Sequence, residues 1–360
     1  MPLSKIQTVD NQVVPNLGRR NLIINGAMQI AQRTTSDASI SDNEFVVDRY
    51  SLRTSNSGWY SAEQSTDAPS DFSNSLKITS LGANSPAAGA YIFFSQKIEG
   101  FNSAHLKFGT SSAKTVTLSF HVKSSLTGTF AGSLRNSAQN RSYPFTFTIS
   151  SANTYEYKTI TIAGDTSGTW VGSTNGIGLE VIFNLGSGTN NQGTAGAWAS
   201  AGYLSASGVS VKNLVETNGA TLFISGIQLE VGSVATDFEH RSVGEEFDLC
   251  CRYFQKARQG LIGECMSTNG SCNWWYDLPT VMRATPSISC STTAYRYGDM
   301  VQIGVAMSSI AVNASGYRSE KTAHWNVTGT KDSGSPVQYR IQLLEPQTGS
   351  HGNFHFSAEL

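Results

Sequence analysis

Apolar and polar residues alternate through most of this chain. Val116, Leu118, Phe120 and Val122 fall on one side of an extended backbone, with Thr115, Thr117, Ser119 and His121 on the other. A period of two marks a strand with one buried face. Tyr143, Phe145, Phe147 and Ile149 repeat it, as do Leu76 with Ile78, Ile160 with Ile162, and Ile177 through Leu185 at every second position. Residues 91–94 are apolar on both sides, which predicts a central strand. Gly, Ser, Thr, Asp and Asn cluster at 126–128, 164–168 and 186–191, and such residues form turns. Many short alternating runs separated by turn chemistry predict an antiparallel sandwich. Between 222 and 231 the apolar parity switches at Gly226, and a β-bulge there would account for it.

One stretch has a different period. Over residues 244–256, Glu245 and Glu246 come first, and Arg252 and Lys256 last. Phe247, Cys251 and Phe254 share a stripe at i, i+4, i+7. Acid before base suits the helix dipole, so a helix is predicted here. Residues 257–360 return to strand-like patterns. Before the first strand signal, Pro15 and Gly18 break a short apolar run into an arm. The chain is therefore expected to be all-β. It divides into an arm (1–20), a jelly-roll sandwich (21–243), a helical connector (244–256) and a smaller C-terminal β-sandwich (257–360).

Composition narrows the function classes. Only 14% of residues are charged, against roughly 25% in an average soluble chain. Lys plus Arg number 25 and Asp plus Glu 26, for a net charge of -1. That excludes a strongly basic nucleic-acid binder. With 39% hydrophobic and 10% aromatic residues, the chain can bury a core and is not of the disordered class. No apolar run reaches the roughly 18 residues of a membrane span, and the N-terminus has no secretory h-region, so assembly in a cytoplasm is expected. All five cysteines lie between Cys250 and Cys290 without a CxxC pair, which favours free buried thiols over zinc.

Three blocks then form a specific set. The first runs from Gly18-Arg19-Arg20-Asn21 through Asn25-Gly26-Ala27-Met28 to Gln32-Arg33, and continues at Asp48-Arg49-Tyr50. The second is Leu118-Ser119-Phe120-His121-Val122-Lys123 and its turn at Thr127-Gly128. The third is Ile224-Ser225-Gly226-Ile227-Gln228-Leu229-Glu230-Val231-Gly232, then Phe238-Glu239-His240-Arg241 and Cys251-Arg252-Tyr253-Phe254. The set resembles a family of bacteriophage tail-fibre and receptor-binding-like virion proteins, common in phages of marine bacteria and cyanobacteria. A weaker match follows at Pro279-Thr280-Val281-Met282-Arg283-Ala284-Thr285-Pro286. The resemblance implies a jelly roll similar to carbohydrate-binding modules, a homotrimer and a place on the virion surface, docked to other virion proteins through the arm. Phe247, Leu249, Cys250 and Phe254 are candidate trimer contacts, since an apolar helix face can line a three-fold junction.

Candidate chemistry is sparse. Trp274, Trp275 and Tyr276, with Trp325 and His324, form the richest aromatic cluster. They suit either stacking on sugar rings or packing in a core or interface. Trp59, Trp170 and Trp198 lie in or beside polar loops and carry the same two readings. His351 and His355 sit four apart, where a strand would place both on one face, open to a metal or to ordinary packing. Glu156, Glu180, Glu230, Glu239, Glu245 and Glu246 show no pairing pattern, and no GxSxG, HExxH or Walker motif occurs. The expectation is a non-catalytic protein without cofactor or metal that recognises host-surface glycan. A capsid decoration or head-fibre protein is the alternative, and a polysaccharide depolymerase the third.

Overall fold

The computed structural model describes residues 19–257, 261–265, 271–290, 295–298, 305–313, 319, 322–331, 341–346 and 354–360. The predicted arm lies outside these residues up to position 18. The alternating segments pair as their parity requires. The first unit takes in the described residues of 1–29, 36–46 and 50–241. Its strands are β1 (Ser36–Asp37), β2 (Ser51–Thr54), β3 (Tyr60–Ser65), β4 (Ser75–Ser80), β5 (Ile92–Glu99), β6 (Val116–Ser124), β7 (Gly128–Arg135), β8 (Ser142–Ile149), β9 (Glu156–Ile162), β10 (Ile177–Asn184), β11 (Gln192–Thr194), β12 (Ser205–Ser207) and β13 (Thr221–Val231). A six-stranded sheet runs β1-β3-β4-β13-β6-β9 and a five-stranded sheet β2-β5-β10-β7-β8. Both are antiparallel, in the sandwich arrangement that alternation predicts.

The core lies between the sheets. Phe120 of β6 meets Phe183 of β10 edge-on at 5.1 Å and Phe147 of β8 at 5.1 Å, and Phe94 stacks on Phe183 at 5.0 Å. Each such pair contributes about 0.5–1.5 kcal/mol beyond area burial. β5 and β10 are buried on both faces, as residues 91–94 suggest. On their outer side Leu204 covers Phe93 and Ile182. Beside them Glu180 accepts from Arg135 Nη2 (2.7 Å), Arg135 Nε (3.1 Å) and Ser95 Oγ (2.8 Å).

The bulge falls where the parity switches. The β13–β6 register shifts between Ser225 and Gln228, and Gly226 sits at φ 63. Residues 19–26 satisfy the opened backbone. Asn21 Nδ2 donates to Ile227 O (3.0 Å), and its Oδ1 accepts from the amides of Ile23 (2.9 Å) and Leu229 (3.0 Å). Leu22 N–H donates to Leu229 O, and Ile227 N–H to Gly26 O. Glu239 in turn accepts from the amides of Arg19 (2.9 Å), Arg20 (3.0 Å) and Asn21 (3.0 Å), and from Arg241 (3.0 Å). Burial would raise the Glu239 carboxyl, but these amides and Arg241 hold it below its ordinary value.

The second unit takes in the described residues of 30–35, 47–49 and 242–360. After α1, the single turn Gly100–Ser103 of the first unit, helix α2 spans Val243–Cys251, with Ser242 Oγ accepting from Glu245 N–H (3.2 Å) at its N-cap. It is shorter than the predicted 244–256, because Phe254 has already entered a strand. The strands are β14 (Phe254–Ala257), β15 (Leu261–Cys265), β16 (Ser271–Asp277), β17 (Ser287–Cys290), β18 (Tyr295–Gly298), β19 (Val305–Asn313), β20 (Thr322–Lys331), β21 (Ile341–Pro346) and β22 (Phe354–Ser357). β14-β22-β17 form a small sheet, and β15-β16-β20-β19-β18-β21 close into a barrel. Alternation reads the same in a barrel and in a sandwich, so the sequence pattern alone does not separate them.

Polar groups organise this unit. Glu359 accepts from Arg33 (3.2 Å) and is ion-paired with Arg49. The Arg33 guanidinium lies 3.6 Å over the Phe254 ring and that of Arg49 3.4 Å over Tyr253. Gln32 Nε2 donates to Asp48 Oδ2 (2.6 Å) and Phe254 O (2.9 Å). The first and third motif blocks thus meet in both units, as hydrogen-bonding frame.

Two outcomes follow. Gly226→Ala places a Cβ 2.6 Å from the Phe72 ring and 3.0 Å from His121 Nδ1 at a left-handed φ. It is expected to cost about 1–3 kcal/mol in chemical denaturation. The Glu239 carboxyl titrates lower in the folded than in the unfolded chain, so its contribution is present above the ordinary glutamate value of 4.5 and disappears as pH falls through the lower folded value. Denaturation midpoints measured from pH 7 to pH 3 should fall less steeply for Glu239→Gln than for the natural chain.

Candidate functional site

The first unit carries a half-open cavity of about 450 Å³, within the range of about 300–1,000 Å³ usual for ligand clefts. Ser103, Ala104, Leu106 and Lys107 line it from the turn after β5, and Phe108, Thr110 and Ser112 from the loop that follows. Trp170, Val171 and Gly172 of the β9–β10 loop and Gly178 and Leu179 of β10 complete the lining. Local chemistry brings these segments together. The 3₁₀ turn Ala104–Leu106 ends at Lys107, whose φ of 56 turns the chain sharply toward Phe108. Gly109 has φ 81, and a Cβ there would sit 2.7 Å from Gly168 O and 3.1 Å from the Trp170 ring. Only glycine lets the two loops approach so closely.

The aromatic wall is a set of mutually edge-on rings. Phe108 meets Trp170 at 5.0 Å and Trp198 at 5.7 Å, the two tryptophans meet at 5.5 Å, and Tyr143 meets Trp198 at 5.3 Å. Phe108 is buried, whereas Trp170, Trp198 and Tyr143 keep part of their surface in solvent. Their polar edges are tied down. Trp170 Nε1–H is shared between Asp165 Oδ2 (3.3 Å) and Ser167 O (3.2 Å), and Trp198 Nε1–H donates to Ala163 O (2.7 Å). Asp165 is itself held by a two-pronged pair with Arg141, Nε to Oδ2 at 2.8 Å and Nη2 to Oδ1 at 2.7 Å. The rings therefore form a fixed apolar cluster, a platform in the sense that it holds the part-exposed Trp170 in place, with hydroxyls and one ammonium nearby.

The sequence nominates Trp170 and Trp198 but not their meeting with Phe108. The signal available was two tryptophans in glycine-rich polar loops that offer no strand partner. Trp59 lies elsewhere, half-buried, its carbonyl accepting from Leu81 N–H. In the second unit, backbone register sets Trp274 opposite Trp325, Trp275 opposite His324 and Tyr276 opposite Ala323. The side chains of Trp274, Trp275 and Trp325 lie outside the described residues, and Tyr276 stacks on Phe356 at 5.4 Å.

Of the nominated trimer contacts, Cys250 and Phe254 are buried inside their own unit, Leu249 is half-buried and Phe247 is 43% exposed. The buried helix face runs through Glu246, Cys250 and Cys251, so the predicted Phe247–Cys251–Phe254 stripe is not the packed one. The thiols of Cys250 and Cys251 are free and buried. His351 lies outside the described residues. His355 packs on Phe254 at 5.3 Å, and burial, with Lys256 and Arg33 nearby, takes it down to about 4. No cluster of metal-ligating side chains occurs among the described residues. Several of the carboxylates already have partners: Glu180 with Arg135, Glu156 with Lys158, Glu239 with Arg241, and Glu230 with Thr236.

No protein-family model and no curated protein sequence matches the chain. Among solved structures, it is similar to the enzymatically active domain of tailspike protein 4 of bacteriophage CBA120, at 16% identity, covering 59% of this chain and 22% of that one, with a TM-score of 0.35. A family 11 carbohydrate-binding module from Clostridium thermocellum, in complex with a mixed-linked tetrasaccharide, is similar at 14% identity over 56% of this chain and 99% of that one, TM-score 0.28. At these scores neither likeness carries an argument, and the sandwich stands on its own strand register.

Asp165→Asn weakens the Arg141 pair and the seat of Trp170 together. We expect a loss of about 1–3 kcal/mol in stability and a red-shifted tryptophan emission. An unchanged spectrum would show that Asp165 does not hold the platform.

Proposed function

We propose that this protein binds glycan without transforming it, and that it does so as a subunit of a trimeric fibre on a phage virion. The observation that carries the binding reading is the platform of Phe108, Trp170 and Trp198 beside a cavity rimmed by hydroxyls. A pyranose ring has one face of C–H groups that rests on an aromatic ring and an equatorial belt of hydroxyls that needs hydrogen-bond partners. Thr110 and Ser112 supply such partners next to the rings, Thr110 as an acceptor since its hydroxyl proton is given to Lys107 O. The rings are already fixed by Ala163, Asp165 and Ser167, so little side-chain freedom is lost on binding. None of the residues lining this cavity is a carboxylic acid, the group that glycoside hydrolysis ordinarily uses in pairs, which supports binding over hydrolysis.

The virion and trimer parts of the proposal rest on the motif set and on α2, where Val243 (60% exposed) and Phe247 (43% exposed) lie one turn apart on the surface. A three-fold assembly would repeat a weak site three times and raise its avidity without new contacts.

Calorimetric titration with tetrasaccharides tests the binding reading. Trp170→Ala should weaken binding about five- to thirtyfold, taking the aromatic contact as about 1–2 kcal/mol, and a folded variant with undiminished affinity would remove the cavity from the reading. Sedimentation equilibrium should give the mass of three chains.

A further inference from the structure

The charge around this cavity is one-sided. The two segments that build it, residues 100–114 and 166–179, contain Lys107, Lys114 and His105 and no Asp or Glu. Yet the chain as a whole has 26 acids to 25 bases. The acids that flank these segments, Glu99, Asp165 and Glu180, are all buried, and Asp165 and Glu180 are neutralised by Arg141 and Arg135. Lys107 lines the cavity and its side chain is exposed. Lys114 lies beside it in the fold, its N–H donating to the carbonyl of Leu106, another lining residue (2.8 Å). Burial and the charge of Lys114 lower His105, so the positive charge at neutral pH comes from the two lysines.

Resting on the glycan reading above, we propose that the cavity selects acidic saccharides. The apolar face of the ring lies on Trp170, which Phe108 backs edge-on, and its carboxylate or sulfate meets the Lys107 ammonium. A neutral sugar makes the stacking contact but leaves Lys107 unanswered, so the lysine contributes selection while the rings contribute contact. An exposed ion pair is modest and salt-sensitive. The expected preference is about fivefold at low salt.

The test compares three tetrasaccharides on the full chain: one of uronic acids, one sulfated, and one neutral. Tryptophan fluorescence and calorimetry are read at about 0.01 M and about 1 M salt, where the screening length falls from ~30 to ~3 Å. At low salt one or both acidic sugars should bind about fivefold more tightly than the neutral one, and the stronger of the two names the anionic group. High salt should close the gap. Lys107→Gln should close it too, Lys107→Arg should keep it, and Lys212→Gln, at an exposed lysine outside the cavity, should leave it intact. Equal affinity for neutral and acidic sugars, or a preference that survives Lys107→Gln, overturns the selection while the glycan reading stands. Binding of none of the three by folded protein overturns both.

Discussion

A strand in the middle of a six-stranded sheet cannot leave its backbone unpaired, and β13 is interrupted at its centre. β4 pairs with β13 only as far as Ile224, so past the Gly226 bulge the amides and carbonyls on that edge, those of Ile227 and Leu229, have no ladder partner in β4. A buried backbone group without a partner costs about as much as a lost hydrogen bond. Asn21 closes most of this gap alone, donating to Ile227 O and accepting from the amides of Ile23 and Leu229. Its position depends on Glu239, which gathers the amides of residues 19–21, and on Arg241, which donates to Asn21 O and Ile23 O. The bulge also restores parity. Without the extra residue, one half of β13 would turn its apolar side chains to solvent, and the core seen by Phe120 and Phe183 would lose Ile224 or Leu229.

The same device recurs elsewhere in the molecule. A chain with so few charges places several of them inside. Glu180 is held by Arg135 on the outer side of the five-stranded sheet, Asp165 by Arg141 behind the aromatic platform, and Glu359 by Arg33 and Arg49 in the second unit. Such pairs are not a cheap source of stability, since desolvation offsets much of the attraction. What they fix is geometry: removing one member leaves the other charge buried, so competing arrangements are penalised. The low charge fraction therefore has two parts. Sheet faces are covered by Ser, Thr and Asn, and a good share of the ionic groups that remain act as internal fasteners.

The strands were legible because burial on one face imposes a period of two. The bulge was legible because Gly226 sits where that period slips. Helix α2 was legible from its acid-first, base-last order, but its packed face was not. Phe247 is more hydrophobic than Glu246 or Cys250, yet it is exposed while they are buried, and the buried face lies near Asp48, Arg49 and Glu359 from distant parts of the chain. Polar contacts of that kind have no periodicity. The cavity was only partly legible for the same reason. Trp170 and Trp198 could be singled out as aromatics stranded in polar loops. Phe108 and Lys107 could not, because their role comes from the left-handed turn at Lys107 and from the loop approach that Gly109 permits.

That approach links fold to function. Indole rings left on mobile loops would have to be ordered by each ligand, and the lost freedom would come out of the affinity. Here each indole N–H is already bonded, one to a backbone carbonyl and the other to a carboxylate that Arg141 clamps. The platform is therefore rigid before any ligand arrives, while Lys107 at the rim stays exposed and free to adjust. In the proposed reading, rigid rings would give every sugar the same contact, and the adjustable cation would distinguish among them. With each single contact weak, discrimination at one site would be small. On the proposed trimer, repetition of the site would multiply that discrimination along with the avidity.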